Sequence, residues 1–398
     1  MRIIIAGQTY YPITNGQAVF TYRLAEGLAK LGHQVMVVTP SDRFFASRTK
    51  RNGVIVKGIT AIPLLPLYAE VYMTFLPNPQ VKRLLKDFQP DVVHIQDHYP
   101  LCLSVSRIAR RIGIPLIGTN HFLPQNIIPY VPVMSKFRSG RRFLEGILWK
   151  MMFKTFNQLD IVTTPTETAA RILYQQGFHK QIYSISCGID LNRFQNHNNG
   201  NVDQIRQRYG LDPNRVIFLY VGRVDREKRL EVLIEAFHRL NRDDIQLIIA
   251  GKGLNLQHLK KLTEQLQLKD RVIFTGFVPQ GDLPILLSIA DVFSMPSDVE
   301  LQSIATLEAL AVGKPVLAAD ARALPELVKN GTNGFLFKAN DVEDASRCIA
   351  WMADQPNQLA RMGKASLEIV KNHDIMITIK RYLDLYRSAI NGSEESQN

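Results

Sequence analysis

Residues 216–250 read VIFLYVGRVDREKRLEVLIEAFHRLNRDDIQLIIA. Val216–Val221 is a short apolar run rich in β-branched and aromatic residues and closed by Gly222, the pattern of a buried strand. Arg229–Leu240 predicts a helix, and Gln246–Ala250 a second strand. Two strands joined through a helix run parallel, because a hairpin turn cannot connect parallel neighbours.

The same rhythm extends in both directions. Downstream, Val272–Thr275, Val292–Met295, Pro315–Ala318 and Gly334–Phe337 predict further strands, with a helix over Leu254–Leu266. Upstream, the strand candidates are Arg2–Ala6, Gln34–Thr39, Val54–Lys57, Val92–Ile95, Leu116–Thr119 and Asp160–Thr164. Between the first two of these, Val19, Phe20, Leu24, Leu28 and Leu31 recur at mostly three- and four-residue steps before Gly32. Alternation of this kind implies an α/β protein whose parallel sheets are covered by helices on both faces. The polar stretch Asn192–Asn201 lacks apolar periodicity and is the expected linker. The resulting division is residues 1–190, residues 191–374, a terminal helix over 375–391 expected to return to the first domain, and a disordered tail over 392–398. Two doubly wound, Rossmann-like domains would face each other across a cleft at the C-terminal ends of their strands. In such folds ligands bind there, on loops just after strands.

The bulk properties narrow the setting. The chain has 398 residues, enough for two or three domains, with ordinary globular composition. Its three cysteines share no CxxC spacing, which fits a reducing compartment. The opening MRIIIAG reads as a first strand rather than a signal peptide. The most apolar segment, Ala61–Pro79, is interrupted by four prolines and Glu70, so no spanning helix is expected. A cytoplasmic protein, peripheral to a membrane face, is the expectation. The net charge of +12 is segregated: residues 1–190 hold 22 Lys and Arg against 10 Asp and Glu, whereas residues 191–398 hold 26 of each. A polyanionic partner for the first half explains this, as does a plain solubility charge.

Three segments after strands carry candidate chemistry. Thr14-Asn15-Gly16-Gln17 places Gly16 where backbone N–H groups can approach an anion at a helix start, although a simple turn reads the same way. It matches neither GxGxxG nor GxxxxGK[ST], which disfavours a nicotinamide or P-loop site. Gly222 to Lys228 sets Arg223 and Lys228 around a turn that opens a helix, cations suited to a diphosphate; a solvated loop is the alternative. Ser297 to Leu310 (SDVELQSIATLEAL) sets Glu300 and Glu308 eight residues apart. With a helix starting near Gln302, Glu300 would lie in the loop to meet sugar hydroxyls. Glu308 would lie two turns on, among apolar neighbours, able to take ribose hydroxyls.

These residues resemble the signature of the large family of GT-B retaining glycosyltransferases, family 4, which contains phosphatidylinositol mannosyltransferases, diacylglycerol glucosyltransferases and sucrose-phosphate synthases. Glu300-x7-Glu308 followed by Ala-Val-Gly-Lys-Pro-Val carries the resemblance, and the rest agrees in order: Gly16, Gly32-His33-Gln34-Val35, Cys187-Gly188-Ile189-Asp190 through Phe194, Gly222-Arg223 with Lys228, and Thr275-Gly276-Phe277-Val278. It implies a nucleotide-sugar donor site. Arg223 and Lys228 would neutralise the diphosphate, with Gly16 assisting. Gly276, Phe277 and Val278 would read the base, Gln302, Ser303 and Ile304 would line the donor, Glu300 would orient the sugar, and Glu308 would bind ribose. His121, after the strand Leu116–Thr119, would contact the donor sugar; a lone histidine in another setting would read as structural. His98 could line the acceptor site. Arg223, Lys228, Glu300 and His121 would be the catalytic set, the reaction proceeding on one face through a short-lived ion pair. No Asp-x-Asp motif is present, so no metal or other cofactor is expected for bond breaking. The sequence departs from the family at three places: Glu300-Leu301-Gln302-Ser303 replaces Glu-Gly-Phe-Gly, Asn15-Gly16 replaces Gly-Gly, and Cys187 replaces Asn. The Glu-x-Gln loop resembles the lipid glucosyltransferases most.

Lys136–Phe156 (KFRSGRRFLEGILWKMMFKTF) interleaves six basic residues with aromatic and aliphatic ones. Such a segment docks on anionic bilayers, and a core helix with snorkelling cations is the alternative. The Pro-rich Ile62–Pro77 could form a lipid entry groove. The expected partners are therefore a nucleotide sugar, a lipid acceptor and an anionic membrane surface. No zinc-finger spacing or RNA-binding signature appears, so nucleic acid is not expected. The expected reaction is transfer of a hexose, glucose from UDP-glucose, to diacylglycerol or a related lipid. The same chemistry on a soluble acceptor, mannosyl or sulfoquinovosyl transfer, and a non-catalytic membrane- or RNA-associated protein with a decayed site remain alternatives.

Overall fold

In a computed structural model of the chain, the described residues are 1–13, 15–63, 72–74, 77–126, 128, 138–195 and 202–395. They divide into two compact units, Met1–Cys187 with Ile375–Asn398, and Gly188–Asp374.

The first unit carries β1 (Arg2–Ala6), β2 (Gln34–Pro40), β3 (Ser47–Arg51), β4 (Val54–Ile59), β5 (Ala61–Pro63), β6 (Tyr72–Thr74), β7 (Val92–Ile95), β8 (Leu116–Thr119), β9 (Ile161–Thr164) and β10 (Ile182–Ser184). Eight of them form one sheet in the order β10-β9-β8-β7-β1-β2-β4-β3. All its pairs are parallel except β3–β4. Ile3, Ile4, Ile5 and Ala6 are all fully buried, so both faces of β1 are covered and its residues need no alternation. Because β2 and β7 flank β1 on opposite sides, the strand order reverses there. The crevice outside the ends of β1 and β7 is where such a sheet takes ligands. The sequence pattern missed β3 because Ser47–Arg51 (SRTKR) has no apolar residue to signal a strand. Its exposed Arg48 and Lys50 suit a sheet edge that must not pair with another chain.

The helix Ile375–Glu395 completes this unit. It lies so close to the helix Gly16–Lys30 that a Cβ on Gly27 would stand 2.2 Å from Ile379 Cδ1. Tyr382 and Tyr386 are fully buried, and Thr378 Oγ1 donates to the Ser186 carbonyl at 2.9 Å. The helix continues past Ile390 through Gly392, where a disordered tail was expected; residues 396–398 of that tail lie outside the described residues.

The second unit carries β11 (Val216–Val221), β12 (Ile245–Ala250), β13 (Val272–Gly276), β14 (Val292–Met295), β15 (Val316–Asp320) and β16 (Gly334–Lys338). They form a fully parallel sheet in the order β13-β12-β11-β14-β15-β16, the doubly wound arrangement of dinucleotide-binding folds. The switch point lies between β11 and β14. The polar stretch expected as a linker begins instead as a helix, Leu191–Gln195, pinned by the buried Phe194; residues 196–201 lie outside the described residues.

Phe218, at the centre of β11, is fully buried and meets Phe237 edge-on with ring centroids 5.6 Å apart. Phe218→Ala should destabilise the second unit by about 3–5 kcal/mol, the usual cost of an emptied aromatic site. Urea unfolding followed by hydrogen exchange in β11 and β12 would measure it, and a loss well below that range would mean the core refills easily.

Candidate active site

In the second unit, loops after β11, β12 and β14 converge. The first turns sharply at Gly222, whose φ of +154° is accessible to glycine. Beneath it, the buried Tyr220 donates its hydroxyl to the Arg223 carbonyl at 2.6 Å. The second loop, Gly251-Lys252-Gly253, presses against it. A Cβ on Gly251 would lie 1.8 Å from the Gly222 carbonyl oxygen, and one on Gly253 2.2 Å from that of Val224. Val224 N–H donates to the Lys252 carbonyl at 2.8 Å, and Leu254 N–H to Asp225 Oδ1, also at 2.8 Å.

Charge in this corner is internally balanced. Arg223 pairs with Asp225 Oδ2 through Nη1 and with Glu227 Oε1 through Nη2, the latter at 2.6 Å. Both carboxylates are buried. Lys228 Nζ donates to Glu300 Oε1 at 2.6 Å, with side-chain exposures of only 16% and 11%. Arg229, in the left-handed region at φ +54°, pairs with Asp298 at 3.0 Å and so ties the first loop to the third. The third loop ends in the helix Ile304–Ala311, capped by Ser303, whose Oγ accepts from Thr306 N–H at 3.2 Å. Glu308 is buried in this helix. At the end of β13, Gly276 adopts φ +70°, Phe277 is half exposed and Val278 is buried.

In the first unit, Asn15 caps the helix Gly16–Lys30 by accepting from Ala18 N–H at 2.9 Å, so Gly16 is the helix's first residue. Asp97 Oδ2 receives the Gln8 N–H at 2.6 Å and Gln17 Nε2 at 2.7 Å, joining the loops after β1 and β7. His121 follows β8, packs on Phe20 at 4.9 Å between centroids, and shares a 3.0 Å hydrogen bond between its Nε2 and Gln96 Oε1. Burial pushes its pKa down to about 3. His98 stacks on Tyr99 and lies against Phe122; burial takes it down to about 4, against the opposing pull of Asp97.

Two family descriptions match the chain in tandem: "Glycosyltransferase Family 4" over residues 14–193 and "Glycosyl transferases group 1" over residues 201–368. A GDP-mannose-dependent alpha-(1-6)-phosphatidylinositol monomannoside mannosyltransferase of Mycolicibacterium smegmatis is 31% identical over 307 residues, 73% of this chain and 75% of that one. The chain belongs to the family 4 glycosyltransferases. An alpha-monoglucosyldiacylglycerol synthase of Streptococcus pneumoniae is 28% identical over 345 residues, 85% of this glycosyltransferase and 75% of the relative. Among solved structures, Anabaena HepE in complex with UDP-glucose superposes with a TM-score of 0.77 at 19% identity, covering 98% of this chain and 100% of that one. The two-Rossmann GT-B class expected from the sequence is thus the fold of this glycosyltransferase.

The structure gathers Arg223, Lys228 and Glu300 into one cluster in the second unit, and it places His121 and Gly16 at strand ends in the first. Ser303 Oγ accepts from both the N–H and the hydroxyl of Thr306, so its oxygen is committed to capping the helix. Sequence reasoning overlooked Tyr220, Gly251, Gly253 and Gln96. A Gly-Lys-Gly directly after an apolar strand could have flagged the second loop, whereas nothing local marks Tyr220 or Gln96. Of the basic segment, Lys136 and Phe137 lie outside the described residues; Arg138–Phe156 is one helix. Its Trp149, Met152 and Phe156 are buried, while Phe143, Ile147 and Met151 form an exposed apolar stripe at four-residue spacing. Arg142, Lys150 and Lys154 are exposed beside it. Most of the Pro-rich Ile62–Pro77, proposed as a groove, lies outside the described residues, as does Thr14.

Two outcomes follow from this chemistry. Arg223→Ala leaves Asp225 and Glu227 buried without their shared cation and should cost the second unit about 1–3 kcal/mol in urea unfolding; unchanged stability would mean water replaces the guanidinium. The second concerns pH. His94, His98 and His121 have folded pKa values of about 3, 4 and 3 against an ordinary 6.5. The unfolded chain therefore takes up protons first as pH falls. The stability these neutral rings contribute is complete above pH 6.5 and is lost progressively down to about pH 3. Unfolding midpoints across that interval should drop, with a shallower slope in His98→Phe; identical slopes would count against a neutral buried His98.

Proposed function

We propose that this glycosyltransferase moves glucose from UDP-glucose to diacylglycerol or a related lipid on an anionic membrane face, with retention at the anomeric carbon. The observation that carries the donor half is the corner where Arg223 and Lys228 sit among carboxylates at the ends of β11 and β14. In the free protein Lys228 is neutralised by Glu300. A bound diphosphate offers Lys228 a stronger partner and releases Glu300 to accept from sugar hydroxyls. Arg223, held in place by Asp225 and Glu227, keeps its charge aimed without an ordering cost as the leaving group gains charge. Backbone N–H groups of Gln302, Ser303 and Ile304 add dipoles for the same anion. Glu308 takes the ribose hydroxyls and the turn Gly276-Phe277-Val278 takes the base; the roles of Gly16 and His121, in the first unit, rest on the family resemblance. Retention rests on the family resemblance.

For the acceptor, support comes from the relatives named for glucosyl-diacylglycerol and phosphatidylinositol mannoside chemistry, and from the helix Arg138–Phe156. Its outer face pairs the stripe Phe143, Ile147 and Met151 with Arg142, Lys150 and Lys154. Apolar side chains can enter the acyl boundary while the cations meet lipid phosphates. No helix among the described residues is long and apolar enough to cross a membrane. Transfer to a soluble acceptor is the second reading.

The test is incubation of the purified chain with UDP-glucose, UDP-galactose or GDP-mannose, with and without anionic liposomes containing diacylglycerol, and mass spectrometry of the products. Glucosyl-diacylglycerol formed only with liposomes is expected. Nucleotide release without glycolipid would remove the lipid acceptor, and silence with every donor would favour a non-catalytic protein. Glu308→Ala should weaken UDP binding about tenfold or more by calorimetry, as expected when a buried polar contact is lost; unchanged affinity would remove Glu308 from the ribose. A Phe143→Ser, Ile147→Ser, Met151→Ser triple variant should stay folded and lose liposome flotation; retained flotation would place the membrane contact elsewhere.

A further inference from the structure

We propose that the second unit carries a second ligand site, at the end of its sheet away from the Arg223 and Lys228 corner, and that this site binds a small phosphorylated polyol through the guanidinium of Arg206. The site stands independently of the donor and acceptor proposed above.

The site is a cavity of about 390 Å³, at the small end of the range for ligand pockets. It lies where β11, β12 and β13 begin. Arg215 immediately precedes β11, Gln246 is the second residue of β12, and Asp270 and Ile273 flank the start of β13. Gly222 follows the other end of β11, so six residues at about 3.3 Å each put roughly 20 Å between the cavity and that corner. The wall is built from side chains locked in place. Gln246 is buried, a polar residue in the otherwise apolar β12 (IQLIIA), and its amide is spent on the rim. Nε2 donates to the Gly210 carbonyl at 2.9 Å, and Oε1 accepts from Asp212 N–H at 3.0 Å. Arg215 pairs through Nε with Asp212 Oδ2 at 3.2 Å and donates through Nη1 to the Asp270 carbonyl at 2.6 Å. These bonds tie the segment 210–212 to the turn before β13 and set the charges of Arg215 and Asp212 against each other.

Arg206, which lines the same cavity, is held differently. It sits in the last turn of the helix Val202–Tyr209 and makes no ion pair among the described residues, and its Nη1 is buried with no hydrogen-bond acceptor. A guanidinium does not shed its proton, so this N–H is a permanent donor turned away from water. Leaving such a donor unmet is costly. The helix end does not need it, since the Arg206 carbonyl already accepts from Leu211 N–H at 2.9 Å. An acceptor entering the cavity removes the cost, and a phosphate presents paired oxygens that match the guanidinium fork. Lys269 lines the cavity too. Its pairing with Glu264, at 3.1 Å, is an exposed one that a bound phosphate can replace at little cost. Buried Leu211 and half-buried Ile273 offer apolar contact to a carbon skeleton, and Asp270 on the rim can accept from a hydroxyl. One anionic head, a short carbon body and a hydroxyl describe a phosphorylated polyol.

The experiment titrates the full chain, labelled with 15N, with glucose 6-phosphate, inorganic phosphate and glucose, following backbone amides by NMR and affinity by calorimetry. Glucose 6-phosphate is expected to move the amides of Gly210, Leu211 and Ile273, and glucose is not. Arg206→Met, which keeps the aliphatic stem, should weaken this binding about tenfold or more, and Lys269→Ala should weaken it less. Lys228→Ala, at the other end of the sheet, should leave those shifts unchanged. Because Nη1 has no acceptor in the free protein, unliganded Arg206→Met should resist urea at least as well as the parent chain. Glucose 6-phosphate should then raise the unfolding midpoint of the parent more than that of Arg206→Met. Shifts confined to residues 222–228, or an affinity untouched by Arg206→Met, would overturn the proposal. So would a destabilised unliganded Arg206→Met, which would make the guanidinium a structural group. Inorganic phosphate bound as tightly as glucose 6-phosphate would overturn the polyol and leave a bare anion site, and glucose bound as tightly would overturn the role of the phosphate.

Discussion

The two large sheets are parallel over nearly all their strands and covered on both faces, and that double burial constrains everything else in the molecule. A strand such as β12, buried at every position, has no room for a charged side chain. Polar chemistry is forced to the strand ends, where the chain leaves the sheet and backbone groups lose their ladder partners. The cation and carboxylate cluster of the second unit, and the glutamine, aspartate and histidine groups of the first, all lie on such exits. Glycine is required where two exits crowd each other, as Gly251 shows against the Gly222 carbonyl.

Within the second unit, electrostatics follows from that placement. Arg223 and Lys228 would repel each other and the helix starts around them if left alone. Asp225, Glu227 and Glu300 neutralise them at short range, which keeps the loops ordered before any anion arrives. The two cations differ in how they are held. Arg223 is forked between two buried carboxylates and is a fixed charge. Lys228 has one carboxylate partner among the described residues, Glu300, on a different loop.

The first unit solves a different problem. Its interior holds His94, Thr119, Thr163, Tyr382 and Tyr386, polar groups that would be costly if any were left unpaired. The last helix is needed to satisfy them, which gives it a role beyond covering apolar surface. The outer helix Arg138–Phe156 is amphipathic in two senses: Trp149, Met152 and Phe156 bind it to its own unit, while its opposite face remains apolar and basic at once. The segregated charge of the chain belongs to the same unit, since residues 375–398 add three basic and three acidic side chains and leave the excess unchanged.

Much of this was legible in the order of residues alone. The alternation of apolar runs with helical periods is local, so twelve strands could be placed nearly to the residue, and the charged segments after them marked Arg223, Lys228, Glu300 and Glu308. Periodicity reports burial of apolar side chains, so it was silent on Ser47–Arg51, a strand held by backbone pairing at a polar edge. It was equally silent on contacts made across long separations. Asp225 and Glu227 looked like surface charge until folding buried them against Arg223. Tyr220, Gly251 and Gln96 acquire their roles from neighbours 3, 29 and 25 residues away, and Tyr386 from one 292 residues away. Composition and spacing determined which elements form and which residue types stand at their ends. Only the tertiary structure decided which of those residues are paired, because a hydrogen bond or ion pair depends on distances in space that the linear order does not carry.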